Sequence, residues 1–142
     1  MPKLPIRLLA VLSSLLLAAP AQGAIPATER TVLVNLYNGT GGPGWTNGAG
    51  WNGAAGTECG WYGITCDGSS SHVVRILLSS NNLTGTLPAI TDLTALAVFD
   101  VNTNGLAGPL PSLSGLTQLT DFNASSNQLS GSLPPSRTSR AS

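Results

Sequence analysis

The sequence predicts an α/β repeat fold, with short parallel strands stacked rung upon rung behind an N-terminal helix-plus-loop segment. Three observations carry that expectation. From Val73 onward the chain repeats itself every 23 residues without a gap. Ahead of the repeats, residues 39–72 are glycine-rich and hold all three tryptophans and both cysteines. Ahead of that stretch, apolar residues recur at helical spacing.

The three copies read VVRILLSSNNLTGTLPAITDLTA, LAVFDVNTNGLAGPLPSLSGLTQ and LTDFNASSNQLSGSLP. Their columns are Val73, Leu96 and Leu119; Ile76, Phe99 and Phe122; and Leu78, Val101 and Ala124. Asn81, Asn104 and Asn127 coincide, as do Gly85, Gly108 and Gly131, and Pro88, Pro111 and Pro134. Each copy has the form L-x-x-L-x-L-x-x-N-x-L, the leucine-rich-repeat pattern. Alternation within L-x-L turns one face of a short strand inward. One unit cannot bury its apolar side chains alone, so the units must stack and share a core. An inward asparagine has both donor and acceptor atoms. Asn81, Asn104 and Asn127 are therefore expected as a structural ladder that bonds backbone groups of their own rung and the next. Ile90, Leu93, Leu113 and Leu116 are expected to fill the core from the opposite side.

The first 23 residues read as a secretory signal peptide. Lys3 and Arg7 precede an apolar run over residues 8–19, and small residues follow. The run is short for a membrane span, and no later one is longer. Export bears on the cysteines. Outside the cytosol, Cys59 and Cys66 are most simply a disulfide, with free thiols and intermolecular pairing as the alternatives. A zinc site needs about four ligands, and the one histidine, His72, does not complete it. A redox pair usually has two intervening residues, against six here. Residues 28–38 predict a short amphipathic helix with Thr28 as N-cap, Glu29 in the first turn, and an apolar stripe of Val32, Leu33, Leu36 and Tyr37. Gly39, Gly41 and Gly44 match G-x-G-x-x-G, but they follow a helix and lead into loop, so no dinucleotide site is expected. The domain reading is 1–23 signal peptide, 24–72 N-terminal cap, 73–136 about 2.7 repeats, and 137–142 disordered tail.

Charged residues make up only 8% of the chain and the formal net charge is zero. No basic patch invites nucleic acid, and no cofactor or metal site is expected.

Two features together resemble the plant-type leucine-rich-repeat family. One is LTGTLP, LAGPLP and LSGSLP after the asparagine of each repeat. The other is CGWYGITCD, residues 59–67, similar to that family's cysteine–tryptophan N-terminal cap. The family includes receptor-kinase ectodomains, polygalacturonase-inhibiting proteins and secreted bacterial relatives. LVNLYNGTGGPGWTNGAGW is more similar to the bacterial ones. The resemblance implies a short right-handed solenoid with an irregular or 3₁₀ convex side and a second extended segment beside each main strand. The array stops short of a third full unit, and no C-terminal cap follows. The last apolar layer is expected to be open, which invites self-association through that end.

In such a solenoid the variable positions line a concave, ligand-binding face. Here these are Arg75, Leu77, Ser79, Val98, Asp100, Asn102, Asp121, Asn123 and Ser125, with Ser80, Thr103 and Ser126 beside them. The expected function is a secreted, non-catalytic module that binds a protein, peptide or glycan, located extracellularly, or at the cell surface or in the periplasm in a bacterium. The alternatives are an inhibitor of a cell-wall-degrading enzyme and a truncated fragment of a longer array. Asp100 and Asp121 could form a glycosidase-like carboxylate pair, but neither an enclosed pocket nor an aromatic platform accompanies them in the sequence. Asn38, Asn82 and Asn123 head formal glycosylation sequons.

Overall fold

The computed structural model describes residues 23–131 and the backbone of residues 139–141. The expected signal peptide lies outside the described residues but for Gly23. So do Leu133 and Pro134.

The helix α1 spans Ala27–Gly39 and buries Val32, Leu33 and Leu36. It starts earlier than the sequence predicts. Pro26, extended at φ −58° and ψ 150°, flanks its first turn in place of Thr28, and no side chain caps it. At the other end the Thr40 backbone N–H and hydroxyl both donate to the Leu36 carbonyl, closing the last turn.

The remaining strands form two sheets. The first has the order β1 (Ile64–Cys66), β2 (Val73–Leu77), β4 (Val98–Asp100), β6 (Asp121–Ala124), β8 (Ser139–Ala141). The strand β1 runs antiparallel to β2, and every later pair is parallel. From β2 to β6, partners lie 23 positions apart: Arg75 beside Val98 beside Asp121. The second sheet holds β3 (Thr84–Gly85), β5 (Gly105–Pro109) and β7 (Gln128–Ser130), all parallel. Its partners lie 21 positions apart, Thr84 beside Gly105 and Ala107 beside Gln128.

The repeated apolar columns lie between the sheets and the return segments. Val73, Ile76, Leu78, Leu83, Ile90, Leu93, Leu96, Phe99, Val101, Leu106 and Phe122 are all buried, and so is the small Ala124. The rings of Phe99 and Phe122 stack at 5.2 Å between centroids and 8° between planes. The return segments are turns and bends. Among the described residues the two 3₁₀ turns, Gly42–Gly44 and Glu58–Gly60, both lie ahead of the repeats.

The glycine column of the repeats is a conformational requirement. Gly85, Gly108 and Gly131 all have positive φ, at 76°, 81° and 87°. At Gly85 a Cβ would also come within 2.4 Å of the Gly39 carbonyl oxygen. That contact marks where the N-terminal segment meets the second sheet. Thr84 and Thr86 donate their N–H groups to the carbonyls of Thr40 and Gly39. The segment therefore closes the first edge of both sheets, with β1 on one and residues 39–40 on the other.

The asparagines occupy equivalent places in successive rungs. Asn104 Oδ1 accepts from the backbone N–H groups of Asn81 and Leu83, and its Nδ2 donates to the Leu78 and Val101 carbonyls. Asn127 does the same one rung on, with Leu106, Val101 and Ala124. Asn81 has no rung ahead of it, and its amide bonds both the N–H and the carbonyl of Asn47.

Cys59 and Cys66 are joined as a disulfide. It closes a tight loop beside β1, next to a chain of aromatic contacts from Tyr37 through Trp45 and Trp51 to Trp61. Each indole N–H is bonded, to Thr40 O, Tyr62 O and Thr57 Oγ1 respectively. Arg30 lies over the Trp61 ring and pairs with the buried Glu58 carboxylate at 2.6 Å. Replacing both cysteines by serine should lower unfolding free energy by about 2.5 kcal/mol on the chain-entropy account. Urea denaturation of the oxidised protein and the double variant measures this, and equal midpoints would show that the packed aromatics alone hold the loop.

The tail expected to be disordered over 137–142 departs from that reading. The backbone of Ser139–Ala141 forms β8 beside β6, with Ser139 opposite Phe122. The outer edge of β6 is thus paired. Residues 132–138 and 142 lie outside the described residues.

Candidate binding face

The outward positions of the five-stranded sheet form three rows. The first runs Arg75, Val98, Asp121, and the antiparallel β1 adds Thr65 beside Arg75. The second runs Leu77, Asp100, Asn123. The third, past the strand ends, runs Ser79, Asn102, Ser125, carried by bonds from Ser80 N–H to Asn102 O and from Thr103 N–H to Ser125 O. Inward neighbours on each strand are buried, so alternation leaves these nine side chains exposed or half-buried.

Part of the face holds itself in place. Asp100 Oδ1 accepts from the Asn102 backbone N–H and from Asn102 Nδ2. Asn123 Oδ1 accepts from the Ser125 N–H and hydroxyl. These short-range bonds are Asx turns that end β4 and β6 in a fixed conformation. A left-handed residue follows the strand in every rung: Ser80, Thr103 and Ser126, at φ 52°, 58° and 57°. Nothing in those residue types announces that conformation.

Other side chains on the face are uncommitted. Among the described residues, Arg75 and Asp121 form no ion pair or side-chain hydrogen bond. Leu77 stays exposed at 36%; among the described residues the other exposed large hydrophobic residue is Tyr62, at 39%, in the turn ahead of β1. Tyr62 and Thr65 lie ahead of the repeats, where no column could single them out. Asp100 and Asp121 stand on adjacent strands but not opposite each other, and Asp100 is tied to Asn102.

The second missed group is Glu29. In the sequence it reads as an acidic residue favoured at a helix start. In the structure it is buried and bridges to β2, with Oε2 accepting from the Val73 N–H at 2.8 Å and Oε1 bonded to His72 Nδ1 at 2.7 Å. The hydrogen bond to Glu29 holds the half-exposed His72 imidazolium above the usual histidine range, aided by the charges of Glu29 and Asp67. On the other side of the His72 backbone, Asp67 accepts from the Ser71 N–H, which lowers its carboxyl below the ordinary range.

A pH dependence follows from His72. A histidine that binds its proton more tightly when folded adds stability that is complete below its unfolded pKa of about 6.5. That contribution is lost as pH rises through the higher folded value. Stability should therefore decline from pH 6 to pH 8.5. His72→Gln should flatten the profile over that range while leaving the acid limb, where Asp67 titrates, in place. Melting temperatures of both proteins across this range decide it, and parallel profiles would refute the link.

No protein-family model matches the chain. Solved structures do. The structure of PEPR1–AtPEP1 aligns with a TM-score of 0.61 and 26% identity over 73% of this chain. The Arabidopsis receptor kinase HAESA, in complex with the peptide hormone IDA and the co-receptor SERK1, aligns at 0.63 and 29% over 77%. The BIR2 ectodomain from Arabidopsis thaliana aligns at 0.66 and 21% over 85%. The fold, with its rungs, asparagine file and second sheet, is that of a plant-type leucine-rich-repeat protein. The chain spans 15% of the PEPR1 chain, 19% of the HAESA chain and 70% of the BIR2 chain.

Proposed function

We propose that this chain is a secreted, non-catalytic binding module, a short solenoid that takes a peptide or protein ligand on the outward face of its five-stranded sheet. The observation that carries the reading is the set of aligned rows, in which a rigid, self-bonded polar frame surrounds the unpaired Arg75 and Asp121 and the exposed Leu77. The matched structure of HAESA, in complex with the peptide hormone IDA and the co-receptor SERK1, supports the same class of partner. The disulfide fits an extracellular location. Three strands span only about 14 Å. That suits a segment of chain better than a globular surface, whose interface uses about 20–30 residues a side.

Selection of displayed random peptides against the protein tests this. Enriched peptides should bind the wild type and lose at least tenfold in affinity for Leu77→Glu. They should keep it for Gln118→Glu, an exposed position on the return segment. Equal losses at both positions, or none at either, would move the site off this face.

A further inference from the structure

The face is electrically polarised across the rungs, and the polarity specifies a ligand. Arg75 stands on β2 and Asp121 on β6, two strands away in the same row, with the half-buried Val98 between them. Val98, on the middle strand, is the apolar centre of that row, and Leu77 lies next to Arg75 on β2. Asp100 adds a second carboxylate on the middle strand, one row away between Leu77 and Asn123; Oδ1 is taken by Asn102, and no bond to Oδ2 is formed among the described residues. Along the first row the face thus runs cationic, apolar, anionic. In a chain with so few charges, three of them stand on this one face.

We propose that the face binds an extended peptide segment lying across the strands, with an acidic side chain at Arg75, an apolar one over Leu77 and Val98, and a basic one at Asp121 and Asp100. This rests on the binding-face reading above and adds the sequence class of the ligand. The spacing follows from strand geometry. Two strand steps separate Arg75 from Asp121 by about 10 Å, and a ligand segment in the polyproline II conformation advances about 3.1 Å per residue and presents the same side every third residue. Acid and base therefore stand three residues apart, with the apolar residue between them. Opposite charges at the two ends fix register and exclude ligands carrying one sign only.

The probes are ten-residue Gly/Ser-flanked peptides with central Glu-Leu-Ala-Lys, the same charges one and five residues apart, and the single-sign versions Glu-Leu-Ala-Glu and Lys-Leu-Ala-Lys. Binding is read at low salt from the Leu77 and Val98 methyl resonances of the intact mature protein. The three-residue spacing should bind at least fivefold more tightly than either other spacing. Arg75→Glu should weaken Glu-Leu-Ala-Lys about tenfold and strengthen Lys-Leu-Ala-Lys, while Asp121→Lys should weaken Glu-Leu-Ala-Lys and strengthen Glu-Leu-Ala-Glu. A gain of binding in each variant is not an effect of misfolding. Binding that ignores spacing and charge yet is lost in Leu77→Glu would overturn this proposal and leave the binding face standing. Failure of every charge and spacing probe, alongside display-selected peptides that bind, would overturn it in the same way. If selected peptides also bind without regard to Leu77, the face reading falls with it.

Discussion

Asn104→Ala should cost about 3 kcal/mol or more of unfolding free energy. Each buried backbone group left without a partner costs about 1–3 kcal/mol, and three lose theirs here. The orphaned groups are the N–H of Asn81 and Leu83 and the Leu78 carbonyl, while the Val101 carbonyl keeps the Asn127 amide. Asn104 is half-buried, so entering water can recover part of the loss. Three rungs is about the least that such a stack needs for stability. The expected result is therefore loss of the cooperative urea transition at 25 °C. Asn127→Ala should cost less, since its Oδ1 accepts from one rung-ahead N–H, that of Leu106, where Asn104 accepts from two. Asn82→Ala, which gives up an exposed bond to Gly44 O at a left-handed residue of φ 61°, should cost about 1–2 kcal/mol. Equal midpoints for Asn104→Ala and Asn82→Ala would refute the ladder as the tie between rungs.

Phe99→Ala should cost about 3–5 kcal/mol, the range for deleting a fully buried aromatic ring. Phe99 is 0% exposed, and its ring lies flat against that of Phe122 in the next rung. The cavity would sit at the middle of the stack, with Ile76 on one side and Phe122 on the other. Collapse there would have to move two strands. A double-mutant cycle with Phe122→Ala separates ring–ring contact from burial. A coupling of about 0.5–1.5 kcal/mol is expected for stacked aromatics. Additive losses would show that the two rings act only as buried area. Phe99→Leu, which refills most of the volume, should recover more than half of the loss.

Both results concern columns that were plain in the sequence, and for one reason. A residue that does the same work in each rung is written again every 23 positions. Ile76, Phe99 and Phe122 repeat because the same inward site recurs, and Gly85, Gly108 and Gly131 because the same left-handed backbone recurs. The outward rows were legible by elimination, as the positions between the columns. What stayed hidden was either unrepeated or unmarked by residue type. Glu29 joins the helix to Val73, 44 positions away, and occurs once. Ser80, Thr103 and Ser126 are left-handed, yet serine and threonine carry no sign of it. Thr65 joins the face through an antiparallel strand outside the repeat. The helix start shifted to Ala27 because Pro26 already supplies an extended flank with no N–H to satisfy.

The two walls of this molecule do not climb at the same angle. On one, each unit stands square above its equivalent. On the other, each strand meets a neighbour two residues short of its equivalent, a slide of about 6–7 Å for every storey of about 4.8 Å. A straight tower cannot satisfy both slopes at once. Adding further units of this design would wind the tower about its own axis, and the handedness and pace of that winding would be set by backbone pairing alone, whatever side chains its outer surface displayed.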